Sequence, residues 1–261
     1  MRVLLFANGP VGAALAGWLR EVGAEVVGAV VHPEGRRAAG EALLTALALP
    51  PDRVFDGSTL DTPATLDAIR ALAPDLGVSL YFGYILRRPL LDSFPRGVVN
   101  LHPSLLPHGR GAYPNVWAMV EGTPAGATLH WVDEGVDTGD IAAQRAVPVE
   151  PWDTGETLYR KLNEAAISLF RDAWPALAAG TLPRTPQPAG NFRAHRVKDV
   201  AAIDEIDLDA PTTARDLLNL LRARTFPPYP GAYFRTEDGR RVGVQVVLEP
   251  QPGSSEGRER Q

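Results

Sequence analysis

The sequence predicts an α/β fold, with a Rossmann-like, mainly parallel sheet flanked by helices and a small C-terminal α+β extension. Three observations predict it. An apolar run at 2–7 is followed by a glycine-containing turn, a helical segment at 13–22 and a second apolar run at 26–31. This strand–helix–strand order places the two strands in parallel, joined by a right-handed crossover. Further apolar runs occur at 76–81 and 98–101, and the segments after residue 180 are shorter and interrupted by proline.

Apolar spacing then predicts helices on the faces of this sheet. One covers 35–49 and another 61–72, the latter opening on an Asp-Thr pair of candidate caps followed by proline. A longer helix is expected after Asp153, because Glu156 follows it at the spacing of a capping box. Apolar residues then recur every three or four positions, which is typical of an amphipathic helix.

The later strands predict a hairpin added to the sheet. Apolar runs at 127–132 and 141–149 flank a short glycine-rich loop. We expect a catalytic domain at 1–180, an extension at 181–249 and a disordered polar tail at 250–261. The predicted elements of the extension are a Pro-rich linker or extended wrap at 180–190, a helix at 213–224, and a hairpin of 232–234 with 242–248.

Composition excludes several classes of function. The chain has no cysteine, so a disulfide framework, a thiolate zinc site and a cysteine nucleophile are all excluded. A net charge of −5 argues against strong, sequence-independent binding to nucleic acid. No apolar run reaches transmembrane length, and the first strand is too short for a signal peptide. A soluble cytoplasmic protein with no membrane partner is the expectation.

The most informative residues are Asn100 and His102, at the end of the strand predicted at 98–101. The two-residue period of a strand places both side chains on one face. Two polar groups on one face at a strand end are costly unless they are paired or functional. In open α/β sheets the carboxyl ends of the strands are where ligands bind. His102 is therefore either a catalytic residue or a satisfied structural histidine.

A third candidate, Asp137, follows in the loop Gly135-Val-Asp-Thr-Gly-Asp140. Its flanking glycines permit unusual dihedrals and close approach. The acidic residues here resemble a cation loop in composition, but the spacing does not match an EF-hand. Histidine spacing fits no zinc motif either, so no metal is expected.

These three side chains suit acyl transfer to an amine without an acyl-enzyme. An Asn amide donates to a tetrahedral oxyanion, and such a donor is worth about 3 kcal/mol in other acyl-transfer sites. A neutral His removes the amine proton, or donates to the oxyanion once it is charged, and a neighbouring Asp orients it. The G-x-S-x-G elbow of hydrolases is absent from the sequence.

The first turn of the chain, Asn8-Gly9-Pro10-Val-Gly, is a weaker candidate. It lacks the full dinucleotide fingerprint, and Pro10 removes one backbone donor. A tight strand-to-helix turn is favoured over a nucleotide phosphate site. Asn8, Gly9 and Pro10 can still contact a substrate, since a helix N-terminus attracts anions.

The motifs around the candidate site resemble one enzyme family. NLHPSLLP at 100–107, RG at 110–111 and WAMVEGTPAGATLHWVDEGVDTGDI at 117–141 are similar to the formyltransferases that use N10-formyltetrahydrofolate. Members act on methionyl-tRNA, glycinamide ribonucleotide or amino sugars. The resemblance covers residues 1–180 and implies Asn100, His102 and Asp137 as the catalytic set. In most relatives the Asp stands one residue further from the Asn, so Asp140 is kept as a second candidate.

The resemblance favours the sugar N-formyltransferases within this family. The tRNA branch resembles longer chains with a C-terminal barrel and a basic surface, whereas this chain is acidic. The ribonucleotide branch has a G-x-G-S-N turn, and here the turn is NGPVG. The segment HGRGAYPNVW at 108–117 resembles the RGxxPNxW of the sugar branch and implies substrate contacts by Arg110, Asn115 and Trp117.

Two residues of the extension are candidates for a nucleotide-sugar. Arg222 stands near a predicted helix end, where it can bind phosphates or cap carbonyls. Tyr229 offers a ring face for a base, or packs the extension against the main domain.

The resemblance also implies where the folate donor binds. In this family the pterin lies among backbone and apolar groups, next to the loop before the catalytic Asp. The corresponding cofactor-binding residues here are Phe82, Tyr84, Ile85, Leu86, Asp133, Glu134, Gly135 and Val136.

The sequence thus predicts an enzyme that moves a formyl group from N10-formyltetrahydrofolate to the amine of a nucleotide-linked amino sugar of the dTDP type. A homodimer is expected through the Tyr/Phe-rich C-terminal segment. The alternatives are formyl transfer to methionyl-tRNA, an amino acid or a ribonucleotide, hydrolysis of formyltetrahydrofolate, and a folate-binding or RNA-associated protein without activity.

Overall fold

The computed structural model describes residues 1–251. Most of the polar tail predicted at 250–261 lies outside the described residues. The strands are β1 (Arg2–Ala7), β2 (Glu25–Val31), β3 (Val54–Asp56), β4 (Leu76–Leu80), β5 (Val98–His102), β6 (Arg110–Gly111), β7 (Ala125–Trp131), β8 (Ile141–Val147), β9 (Ala194–His195), β10 (Ala232–Arg235) and β11 (Arg241–Val244). The helices are α1 (Gly9–Glu21), α2 (Gly40–Leu47), α3 (Pro63–Ala71), α4 (Arg88–Leu91), α5 (Pro114–Val120), α6 (Gly155–Ala179), α7 (Val197–Ala201) and α8 (Ala214–Ala223).

Seven strands form the main sheet in the order β3-β2-β1-β4-β5-β7-β8. The first five are parallel, and β7 and β8 are antiparallel additions at one edge. The predicted fold class is confirmed, and so is the hairpin of β7 and β8. The chain runs outward from β1 through β2 and β3, then returns to place β4 on the other side. Such a reversal of strand order opens a crevice at the carboxyl ends of the strands.

Both faces of the sheet are buried, as expected for parallel strands covered by helices. The alternation within β1 shows the division: Val3, Leu5 and Ala7 face the cluster built on α1 and α6, whereas Leu4 and Phe6 face the cluster built on α3. This burial makes the central strands a rigid base for the loops at their carboxyl ends.

The long helix α6 begins one residue later than the sequence suggests. Its cap is Thr154, whose hydroxyl accepts from the Thr157 N–H, while the Thr157 hydroxyl accepts from the Thr154 N–H. The prediction of Asp153 as the cap is wrong. Asp153 is buried and pairs with Lys161 at 2.7 Å instead. Two adjacent polar residues with capping ability make the sequence signal ambiguous by one position.

The Pro-rich segment is an extended wrap along the main domain. Thr185 exchanges two backbone hydrogen bonds with Ile141, at 2.8 and 2.9 Å, and the Trp131 indole N–H donates to the Pro183 carbonyl. Further on, β9 pairs in parallel with β6. Helix α8 then packs on α5, and β10 pairs with β11 in the predicted hairpin.

Among residues 1–251, none of the helices combines the length and the apolar composition that crossing a membrane requires.

The contact between α6 and α8 gives a test of how the extension is attached. A Cβ added to Gly155 would lie 2.3 Å from the Ala223 carbonyl oxygen. Helix propensity alone would make Gly155→Ala stabilising by about 1 kcal/mol. The clash with the Ala223 backbone destabilises the fold by more than this gain. We therefore expect a net loss of about 1–3 kcal/mol in the free energy of unfolding, measured by urea denaturation. Gly243→Ala is the control, because its Cβ meets no atom within 4 Å. A Gly155→Ala variant as stable as the wild type would refute the close contact.

Candidate active site

A cavity of about 580 Å³ opens at the carboxyl ends of β4 and β5, where His130 of the antiparallel β7 also lines it. The turn after β4, the loop after β7 and the start of the segment after β9 form its walls. Asn100, His102 and Asp137 all line it, together with His130 and the backbone of Gly111. This is the position at which the topology of the sheet predicts a ligand site.

Strand pairing brings two of these side chains together with a histidine from β7. Asn100 and His102 lie on the same face of β5, as the two-residue period predicts. The antiparallel register places Asn100 opposite His130. Asn100 Nδ2 lies 3.0 Å from His130 Nε2. The His130 Nδ1 lies 2.9 Å from the Trp131 carbonyl, which can only accept, so Nε2 is the nitrogen that accepts from Asn100.

His102 is oriented by the loop that follows β5. Its Nε2 lies 2.9 Å from the Gly109 carbonyl oxygen. A carbonyl only accepts hydrogen bonds, so Nε2 carries the proton of the neutral ring and Nδ1 carries the lone pair. The ring is buried, with 9% of its side chain exposed. This environment fixes one tautomer, which a general base requires.

Asp137 lies at the centre of the group. Its Oδ2 accepts from the Gly111 N–H at 2.8 Å and lies 3.7 Å from His102 Nε2. Its Oδ1 lies 3.4 Å from both His130 Nε2 and Asn100 Nδ2. The residue has φ +52°, in the left-handed region that non-glycine residues adopt at a cost.

The electrostatics of the group favour an ionised Asp137. Burial alone would raise the pKa of this carboxyl. In the acidic range where the carboxyl titrates and both histidines are protonated, the charge of His102, the hydrogen bond and charge of His130 and the Gly111 N–H together hold the pKa well below its ordinary value. The site thus presents a fixed negative charge beside His102. A fixed charge of this kind stabilises positive charge that develops beside it during a reaction.

Asp137 rather than Asp140 makes these contacts. The Asp140 backbone carbonyl accepts from the Trp131 N–H, which continues the β7–β8 hairpin. Within residues 1–251, the Asp140 carboxylate has no hydrogen bond or ion pair. Across the same range, no group of three or more His, Cys, Asp or Glu side chains has the arrangement of a metal site.

A largely apolar wall lines the same cavity as the polar group. Phe82 and Tyr84 pack on each other at 5.3 Å between ring centroids, and Ile85 is 59% exposed. The His32 Nε2 accepts from the Gly83 N–H at 3.2 Å and supports this loop from behind. Of the residues predicted to bind the cofactor, those lining the cavity are Phe82, Tyr84, Ile85, Leu86, Asp133, Gly135 and Val136. Glu134 does not line it and lies 3.5 Å from Arg88.

The residues predicted in the first turn are engaged with the protein itself. The Asn8 side-chain carbonyl accepts from the Ala38 N–H at 3.1 Å, and the Gly9 N–H donates to the Ala38 carbonyl. Asn8, Gly9 and Pro10 do not line the cavity. This geometry agrees with the tight-turn interpretation of the sequence.

The residues of the RGxxPNxW segment that were predicted to bind substrate contact the protein itself. Asn115 is buried and donates to the Gly155 carbonyl at 3.0 Å. The buried Trp117 stacks on His195, with 3.8 Å between centroids and 7° between planes. Arg110 donates to Gln187 at 2.7 Å. None of these three residues predicted to bind substrate lines the cavity, whereas His195 does.

The structure separates Arg222 and Tyr229 from the other candidates. The Arg222 guanidinium donates to the Glu150 carbonyl at 2.8 Å, and burial lowers its pKa. Tyr229 is 64% exposed and packs edge-on against Phe226. Both lie on the extension, away from the cavity lining.

Sequence reasoning missed His130, His195 and the Gly111 amide as parts of the site. The predicted hairpin adds β7 to the sheet, and the period of two along that strand could have identified His130. The other two depend on β6–β9 pairing between segments more than 80 residues apart, and no local pattern indicates it.

The geometry defines a class of enzyme: an α/β transferase built for acyl transfer, with an amide donor, an oriented histidine and a fixed carboxylate. A family model of formyl transferases matches residues 1–173, and one described as the N-formyltransferase dimerization C-terminal domain matches 199–250. The chain belongs to the formyltransferase family.

Known relatives agree with this assignment. Methionyl-tRNA formyltransferase of Symbiobacterium thermophilum is 36% identical over 269 residues, which cover 98% of this chain and 80% of that protein. A 4-N formyltransferase from Francisella tularensis is 25% identical with a TM-score of 0.79, covering 96% of this chain and 98% of that one. The formyltransferase PseJ from Anoxybacillus kamchatkensis, solved with UDP-4,6-dideoxy-4-formamido-L-AltNAc and tetrahydrofolate, is 28% identical with a TM-score of 0.57, covering 77% and 89%.

The lowered pKa of Asp137 predicts a pH-dependent contribution to stability. Because the folded pKa lies below the unfolded value, the ionised carboxylate stabilises the fold above the unfolded pKa, and this contribution is lost as the pH falls toward the folded pKa. We therefore expect Asp137→Asn to lower the free energy of unfolding by about 1 kcal/mol more near pH 6 than near pH 3. Urea titrations at both pH values measure it. The same loss of stability at both pH values would contradict the lowered pKa of Asp137.

Proposed function

We propose that this formyltransferase moves a formyl group from N10-formyltetrahydrofolate to the primary amine of a nucleotide-linked amino sugar. The observation that carries the proposal is the convergence of Asn100, His102 and Asp137 in one cavity that also has an apolar wall. The reaction class follows from the family. The solved complex of PseJ, which holds a formamido sugar nucleotide and tetrahydrofolate, supports the choice of donor and acceptor.

In the proposed reaction the amine nitrogen attacks the formyl carbon and forms a tetrahedral oxyanion. Asn100 stabilises the oxyanion through its amide, whose second N–H has only a long 3.4 Å contact to Asp137 and so keeps donor capacity for the oxyanion. His102 accepts the proton that the amine loses. Collapse breaks the bond to the donor nitrogen, which takes up a proton. No protein side chain is acylated.

Asp137 acts on His102 in this scheme. Its carboxylate lies 3.7 Å from His102 Nε2, so the contact shortens or strengthens as the ring becomes an imidazolium. The same carboxylate is held by the Gly111 N–H, which keeps it in place while charge moves. The negative charge therefore stabilises the state that exists after the amine has lost its proton.

The apolar wall suits the flat heterocycle of the donor. Four residues, Phe82, Tyr84, Ile85 and Leu86, supply ring and aliphatic surface, and Asp133, Gly135 and Val136 line the cavity beside them. Pockets of this kind bind flat ligands by apolar contact and use a few polar groups to orient them. We assign the donor to this side and the acceptor amine to the side of His102.

Methionyl-tRNA is the second candidate acceptor. The methionyl-tRNA formyltransferase of Symbiobacterium thermophilum is 36% identical to this chain. The net charge of −5 weighs against it, because tRNA binding depends on phosphate neutralisation by cationic surfaces. The C-terminal match to the N-formyltransferase domain also favours a small acceptor.

A homodimer formed through the extension is part of the proposal. The matched C-terminal domain is described as a dimerization domain. The extension exposes large apolar side chains, with Leu218 48%, Val242 38% and Tyr229 64% exposed. Exposed apolar groups concentrated on one small module are typical of a surface that a second copy covers. We propose a catalytic domain at 1–180, an extension at 181–249 and a cytoplasmic location.

Substitutions in the catalytic group test the mechanism. Asn100→Ala is expected to lower kcat about 100-fold, because it removes the oxyanion donor. His102→Ala is expected to lower it by about 100-fold or more. A formyl-transfer assay with N10-formyltetrahydrofolate and an amino-sugar nucleotide measures both.

His108→Ala is the matched control for His102→Ala. His108 stands in the loop that follows His102, packs edge-on against Phe192 and does not line the cavity. It should retain turnover close to that of the wild type. Wild-type rates in both Asn100→Ala and His102→Ala would remove these residues from the mechanism.

Thermal shift separates the two acceptors. A nucleotide-linked amino sugar is expected to raise the melting temperature, and a further rise is expected when tetrahydrofolate is added, since a ligand of the native state stabilises it. Methionyl-tRNA binding, measured as a salt titration, should be weak. Tight tRNA binding with a steep salt dependence, together with no shift by any amino-sugar nucleotide, would favour the second candidate.

A further inference from the structure

The wrap at 181–196, called the strap below, contains one side chain that reaches the catalytic loop. The residues around Gln187 are exposed, including Pro186 and Pro188 on either side, whereas Gln187 itself is partly buried. The backbone hydrogen bonds between Thr185 and Ile141 anchor the strap two residues before Gln187. Gln187 therefore enters the main domain from an anchored position.

The Gln187 amide makes three hydrogen bonds. Its Nε2 donates to the Asp137 carbonyl and to the Gly139 carbonyl, both at 2.8 Å. Its Oε1 accepts from Arg110 Nη2 at 2.7 Å. Both amide protons and one acceptor site are thus used, and each bond has an ordinary length.

These bonds close a ring around Asp137. On one side Gln187 holds the backbone carbonyl of Asp137. On the other it holds Arg110, whose neighbour Gly111 donates its N–H to the Asp137 carboxylate. The backbone and the carboxylate of one residue are therefore fixed through a single amide.

Asp137 needs such support because its backbone is unfavourable. Its φ of +52° costs a non-glycine residue about 1 kcal/mol or more. Such a conformation persists only where the surroundings hold it. Gly139, two residues on, lies so close to the Trp131 carbonyl that a Cβ would clash with it, so the loop has little room to relax in that direction.

We propose that Gln187 is a positioning residue that acts through Asp137, so that this one side chain of the strap orients the catalytic loop. The inference rests on the proposed role of Asp137. Only glutamine, among side chains of this size, supplies two donors and an acceptor in one plane. Glutamate keeps the contact to Arg110 but replaces both donors with an oxygen facing two carbonyls. Gln187→Glu is therefore a nearly isosteric way to break the Asp137 side of the ring.

The test compares Gln187→Glu and Gln187→Ala with Thr185→Ala as the control, because Thr185 contacts Ile141 only through its backbone. Displacing a catalytic group lowers turnover, and we expect kcat to fall about 10- to 100-fold in both Gln187 variants, with KM for the amine acceptor changed less than about threefold. Thr185→Ala should keep the wild-type kcat. Melting temperatures confirm that the compared proteins are folded.

A double-mutant cycle shows whether Gln187 acts through Asp137. If it does, adding Gln187→Glu to Asp137→Asn should cause no further loss in single-turnover rate, because the side chain it positions is already disabled. Losses that multiply would overturn the proposal, and so would a Gln187→Glu enzyme with wild-type kcat. If Asp137→Asn itself has the wild-type rate, the catalytic assignment of Asp137 fails instead, which separates the two failures.

Discussion

The antiparallel pairing of β5 with β7 is the interaction on which the site depends. It sets Asn100 against His130 and His102 against Thr128. A slip of one residue would turn every side chain to the opposite face and remove the polar group from the cavity. The register is fixed by the buried Thr128, whose hydroxyl donates to the Ser104 carbonyl and accepts from the Leu106 N–H. Because Ser104 and Leu106 stand within four residues after His102, the same hydroxyl shapes the loop that carries the Gly109 carbonyl to the histidine.

A buried carboxylate gives this site its chemical character. The side chain of Asp137 is only 14% exposed, and an isolated charge there would be strongly unfavourable. Contacts from the Gly111 amide, two histidines and Asn100 offset the cost of burial. Each of these groups is held by backbone or strand register, so little rearrangement is needed when charge develops. Preorganised groups of this kind are the principal source of electrostatic catalysis in acyl transfer.

The sequence identifies much of the fold and part of the site. Strands and their order follow from apolar runs, and Asn100 and His102 follow from the period of two at a strand end. Asp137 follows from its glycine-bounded loop and from the family resemblance. The cap at Thr154 is missed because Asp153 has the same ability. His195 and Gln187 are missed because their contacts join segments that are far apart in sequence, and a Pro-rich segment has the same composition whether it is free or bound. Arg222 illustrates the converse: a cation at a helix end suits phosphates and carbonyls equally, and only the structure shows its bond to the Glu150 carbonyl.

The anchored strap also places a limit on chain length. Connections between domains ordinarily tolerate insertions, because loop entropy rises slowly with added residues. Here only Pro186 separates the backbone bridge at Thr185 from the amide at Gln187. An inserted residue would shift an extended chain by about 3.3 Å, more than the length of the hydrogen bonds it would break. This segment has the composition of a spacer, but its contacts with the main domain fix its length. We therefore expect it to tolerate insertions as poorly as an active-site loop.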